Sequence, residues 1–72
     1  MIYILAEGVF TDEEGVKHKT YGISAKDFNG YLFAAYSDIF LDKQNAENLV
    51  KLCNKSELEL CHLSEVVEDA LT

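Results

Sequence analysis

The chain has 72 residues and a formal charge of −7, from 13 acidic residues against six lysines and no arginine. That length implies one domain, residues 1–72, with a marginal core and little room for a deep pocket, which argues against a self-contained enzyme. The charge argues against nucleic acid and anionic membranes as partners, because both are bound by neutralising phosphates and no guanidinium is present to fork onto them.

Met1 to Gly8 is apolar, but it has no positive leader, no long apolar run and no small-residue cleavage site. It reads as neither a signal peptide nor a membrane span. A cytoplasmic home with reduced thiols is the expectation. Ile2 to Phe10 reads as the first strand, rich in Ile, Tyr, Leu, Val and Phe. Thr11 to Gly15 is polar and ends in glycine, a hairpin signal. Val16 to Ala25 is the second strand. Asp27-Phe28-Asn29-Gly30 is the second turn, where Asn-Gly is expected to supply positive φ values. Tyr31 to Tyr36 is the third strand, apolar on both faces.

The period then changes. Asp42 is a good N-cap. Ala46, Leu49, Val50 and Cys53 follow at helical spacing, and Asn54 is expected to end that helix in a left-handed conformation. After a link from Lys55 to Glu59, Leu60, Leu63, Val66, Val67, Ala70 and Leu71 form the stripe of a second helix. Ser64, Glu65, Glu68 and Asp69 fall on its other side. A small sheet must bury one face, and two amphipathic helices can cover it. The expected fold is therefore α+β: a three-stranded antiparallel meander covered on one face by two carboxyl-terminal helices, βββαα.

Residues 53–62, CNKSELELCH, hold both cysteines. The spacing C-x7-C-H is not that of paired zinc ligands, and a redox pair would prefer C-x-x-C. Cys53 lies on the apolar stripe of its helix, where it behaves as a small hydrophobe. A helical wheel begun at Leu60 puts Cys61 on the polar side, although packing is the preferred reading for both sulfurs. No metal and no cofactor is expected. No serine has a matching His and Asp, and the four glycines are scattered, so no catalytic or phosphate-binding set forms.

TYGI at 20–23, NG at 29–30, DI at 38–39, NLVKLCN at 48–54 and the run HL-x-x-VVED-x-L from His62 to Leu71 together resemble a family of small Gram-positive bacterial proteins, the domain of unknown function numbered 6514. The resemblance spans roughly residues 14–72. It implies an intracellular bacterial protein without known catalytic residues. The chain departs from that pattern at Glu59-Leu60, where Ser-Pro is usual, and at Cys61, where an aliphatic residue is usual. It departs again at Ala70, where an aromatic is usual, and at Ala34-Ala35, where lysines are usual.

The leading functional expectation is a non-enzymatic interaction or regulatory module. Glu65, Glu68 and Asp69 would form an acidic interaction face that steers a basic partner. Strand three would leave either Tyr31 and Phe33 or Leu32 and Tyr36 open on the uncovered sheet face, and such a patch would bury itself in a homodimer. The alternative is an acidic inhibitor of phage type that mimics nucleic acid. A weaker alternative is a metal-dependent enzyme built on Cys53, Cys61 and His62. His62 lies one turn before Glu65 and could bond to it.

Overall fold

Two aspartates start the sheet. In the computed structural model, which describes residues 1–71, strands β1 (Ile2–Thr11), β2 (Lys17–Lys26) and β3 (Leu32–Phe40) pair antiparallel in the order β1-β2-β3. At the first turn the Gly15 N–H donates to Asp12 O and the Asp12 N–H to Val16 O, both at 3.0 Å. At the second, Gly30 donates to Asp27 O and Asp27 to Tyr31 O, both at 3.1 Å. The closing glycines sit at φ +81° and +87°, a conformation that costs other residues about 1–2 kcal/mol. Positive φ in the second turn falls on Gly30 and not on Asn29. Each turn is therefore a three-residue hairpin loop with a left-handed glycine.

The β1–β2 ladder runs unbroken from Ile2 opposite Lys26 to Thr11 opposite Lys17. The β2–β3 ladder shifts register twice, between Tyr21 and Ile23 and between Ala25 and Lys26. β3 continues to Phe40, beyond the Tyr36 expected from the sequence. The polar pair Ser37-Asp38 resembles a loop, yet the Thr20 hydroxyl donates to Asp38 Oδ1 at 2.7 Å and Phe40 pairs with Tyr21. The extra β3 residues are accommodated over Gly22, where the backbones come so close that a Cβ would stand 1.6 Å from the Tyr36 carbonyl oxygen.

Helix α1 (Lys43–Lys55) starts at Asp42, whose carboxylate accepts the Gln44 N–H at 3.0 Å. Its end differs from expectation. Glu57, not Asn54, takes the left-handed conformation, at φ 51°. Leu58 N–H then bonds Cys53 O at 3.0 Å and Glu57 N–H bonds Asn54 O at 3.3 Å, which is a Schellman closure. A 3₁₀ turn (Leu60–His62) precedes α2 (Leu63–Leu71), so the regular part of the second helix begins three residues later than its stripe suggested.

The core is formed by one face of the sheet and both helices: Tyr3, Ile23 and Ala25, then Leu49 and Cys53 of α1, then Leu63 and Val67 of α2. Ala34 and Tyr36 of β3 pack against it. Ile23, Leu49, Leu63 and Val67 each contribute roughly 1.5–3 kcal/mol by burial. α1 lies across all three strands, whereas α2 rests on β3. The distal end of the first hairpin is left uncovered, with Val9, Phe10, Val16 and His18 exposed. Among the described residues, no helix is long and apolar enough to cross a membrane.

Candidate functional site

The second hairpin gathers apolar side chains that the core does not use. Phe28 is 85% exposed at the tip, followed by Tyr31, Leu32 and Phe33 at 64%, 50% and 47%. The Tyr31 and Phe33 rings meet edge to face, with centroids 4.8 Å apart. Leu32 is exposed beside Phe33 because the register shift at Ala25/Lys26 inserts a residue there, interrupting the alternation that would bury one of the two. Tyr36 turns inward against the core and does not belong to this surface, which corrects its place among the candidates. Phe28 belongs to it and was missed, because a residue in a turn has no strand alternation to betray its direction. Ile4, next to Ser24 on the same uncovered face, is also partly exposed.

That face also carries a polar cluster. Gly8 of β1, Thr20 of β2, and Ser37 and Asp38 of β3 converge, and a Cβ on Gly8 would lie 2.8 Å from the Thr20 hydroxyl oxygen and 3.0 Å from Asp38 Oδ1 and Ser37 Oγ. Thr20 is buried there, and its bond to Asp38 ties β2 to β3.

Glu65 and Glu68 lie exposed on α2 with Asp69 beside them, while Leu63 and Val67 face the core. His62 Nδ1 stands 3.6 Å from Glu65 Oε2, close enough to pair when the imidazole is protonated. Between α2 and β3 an open groove of about 290 Å³ is lined by Ala35, Tyr36, Ser37, Asp38, Ile39, Val67 and Leu71. Its size is at the lower limit for a small-molecule pocket.

The two cysteines part company. Cys53 is buried on the inner face of α1, and burial pushes its thiol above the ordinary value, so it stays protonated and inert. Cys61 is exposed, which corrects the packing reading of that sulfur. The constellation Cys53–Cys61–His62 does not form. The group that does form is Glu59, Cys61 and His62, whose donor atoms lie within 4.8 Å of one another. Beside Cys53, the buried Tyr3 phenol donates to Leu58 O. Burial raises its pKa, and the neighbouring Cys53 and Cys61 sulfurs raise it further.

A family model matches residues 1–72, the whole chain, where the motifs had suggested residues 14–72. The chain belongs to the family of unknown function DUF6514. No curated protein and no solved structure matches it.

In this DUF6514 chain the residues that carry the resemblance serve the fold. Thr20 bonds Asp38, Gly22 admits the Tyr36 carbonyl, and Gly30 closes the second turn. The Asn54 side chain reaches from α1 across to β1. Its Oδ1 accepts the Tyr3 N–H at 2.9 Å, and its amide nitrogen donates to Tyr3 O at 2.8 Å. A side chain thereby replaces the missing neighbour of an edge strand at that position. None of these groups is arranged as a nucleophile with a base.

Proposed function

We propose that this DUF6514 chain is a non-enzymatic cytoplasmic module that works by contact, docking through the end of its second hairpin and the uncovered face of its sheet. The observation that supports this is the run Phe28, Tyr31, Leu32 and Phe33, all exposed within six positions of one hairpin. The turn itself requires only Asp27 and Gly30, so a phenylalanine at its tip has no role in forming it. Clustered aromatics open to water on a small domain mark a contact surface. The partner we assign first is a second copy, because identical patches cover each other about a twofold axis. The exposed carboxylates Glu65 and Glu68, with Asp69 next to them, would instead steer a basic partner.

Salt separates the two partners. A chain of charge −7 repels its own copies, so self-association should strengthen as salt rises, whereas binding to a basic protein should weaken. Sedimentation equilibrium over a range of concentrations should show a mass rising toward the dimer, and Phe28→Ser with Phe33→Ser should return it to the monomer. Phe28 is 85% exposed and Phe33 47%, so that variant should stay folded at a cost of about 1–2 kcal/mol from the Phe33 ring and its contact with Tyr31. A monomer mass persisting into the upper micromolar range overturns self-association.

A further inference from the structure

The junction between the helices presents three different metal-binding donors together. Glu59 N-caps the 3₁₀ turn, and the His62 N–H bonds back to its carbonyl at 3.0 Å. That bond closes one turn from Glu59 to His62, and the Glu59 carboxylate, the Cys61 thiol and the His62 imidazole come together beside it. Cys61 Sγ lies 3.8 Å from Glu59 Oε2, and one donor atom from each residue lies within 4.8 Å of the others. Tetrahedral zinc, with Zn–S about 2.3 Å and Zn–O about 2.0–2.2 Å, needs sulfur and oxygen about 3.5–3.7 Å apart. The gap already present is close to that distance, and all three side chains are exposed and free to close it by rotation. A second carboxylate completes the arrangement. Glu65 Oε2 stands 3.6 Å from His62 Nδ1, just beyond hydrogen-bond reach, and a small rotation of these exposed side chains would let the carboxylate accept from Nδ1 and leave Nε2 to the metal.

We infer that Glu59, Cys61 and His62 form a surface site for one borderline divalent cation, zinc by its mixed S, N and O donors, with Glu65 as the positioning residue. Oxygen-only ions such as magnesium and calcium do not suit a thiolate. Residues 56–72 carry five carboxylates and no lysine, so the local field favours a cation. Three protein ligands leave the fourth position to water or to a donor from another molecule. Binding converts the Cys61 thiol to a thiolate and releases its proton to solvent. Cys53 takes no part, being enclosed in the core. The site lies outside the core, so the fold does not depend on the ion.

Cobalt(II) titration of the metal-free full chain tests this, because thiolate ligation produces a charge-transfer absorption that oxygen and nitrogen ligation do not. One equivalent should saturate the band, and zinc should displace the cobalt. Cys61→Ser should abolish the band. His62→Ala and Glu59→Gln should each weaken binding at least about tenfold, and Glu65→Gln by about tenfold with the band position unchanged. Chelation should erase the band while the far-ultraviolet dichroism stays folded, which also serves as the control for each variant. No band at millimolar cobalt overturns the inference. So does a band that survives Cys61→Ser, or a chain that unfolds on chelation.

Discussion

In the hairpin joining β1 to β2, Asp12 Oδ1 accepts the N–H groups of Glu14 and Val16; in the hairpin joining β2 to β3, Asp27 Oδ1 accepts those of Asn29 and Tyr31, all at 2.9 Å. The spacing Asp-x-x-Gly is the same in both, and so is the left-handed glycine. What the two turns carry differs. The first holds Glu13-Glu14, and the other carboxylate oxygen of Asp12 meets His18 Nε2 at 2.9 Å, with the imidazole stacked on Phe10. The second holds Phe28-Asn29 and ends among exposed aromatics. Identical turn chemistry with different side chains separates what folding needs from what it leaves open. The aspartate and the glycine are needed, whereas the residues between them are available for solvation in one turn and for contact in the other. The ladders behind the turns differ as well. β1 and β2 pair without interruption, whereas β2 and β3 pair around the close approach at Gly22.

The largest expected effect breaks the comparison at that approach. Gly22→Ala drives a methyl into the Tyr36 carbonyl and should cost more than about 3 kcal/mol in denaturant melts, since backbone on both sides must move. Gly8→Ala, on the regular ladder, displaces the Thr20, Ser37 and Asp38 side-chain oxygens and strains the Thr20–Asp38 bond, but it meets no backbone and should cost less. Equal costs would show that the β2–β3 irregularity relaxes freely. Gly15→Ala and Gly30→Ala come next. Nothing lies within 4 Å of either added Cβ, so only the left-handed backbone is at stake, and each should cost about 1–2 kcal/mol, alike in the two hairpins. A cost confined to one turn would mean that the two turns are not equivalent in solution. The smallest effect is electrostatic and belongs to the first turn. The hydrogen bond from His18, and then that from the Val16 N–H, hold the Asp12 carboxyl below its ordinary value against an opposing desolvation, with further help from the Glu14 and Gly15 N–H groups. A folded-state pKa that is depressed contributes stability above the unfolded value and loses it as pH falls through the folded one. The urea midpoint should therefore decline from about pH 4 downward, and less steeply in Asp12→Asn. An equally steep decline in that variant would place the acid sensitivity elsewhere.

Local rules carried much of this fold. The element order, both turns, the Asp42 cap and the burial of Leu49 and Cys53 all follow from signals within a few residues of one another. Features that depend on distant partners were hidden. β3 looked finished at Tyr36 because Ser37 and Asp38 are polar, and only Thr20, on the neighbouring strand, makes Asp38 a strand residue. Asn54 looked like a helix terminator because its partner, Tyr3, lies 51 positions away. Tyr36 was ambiguous because β3 is apolar on both faces, and the inward choice rests on its pairing with Ile23. At the candidate surfaces, alternation offered Tyr31 with Phe33 or Leu32 with Tyr36 without choosing, because the register shift that exposes both Leu32 and Phe33 depends on β2, whereas Glu65 and Glu68 were legible from the helical stripe. The Glu59–Cys61–His62 group was not, because a continuous helix from Leu60 conceals the 3₁₀ turn that assembles it.

The Asn54 clamp also bears on the order in which the chain matures. Until α1 docks, β1 presents its outward backbone at Tyr3 with no partner, and the two hairpins can form from local contacts alone before the helix exists. During synthesis the strands emerge first, so for a time the growing chain displays an unguarded template for pairing with other strands. The clamp joins residues 51 positions apart in sequence, so it closes only after α1 has formed and docked on the sheet. A nascent chain stalled before Asn54 should therefore be more prone to aggregate than the finished protein.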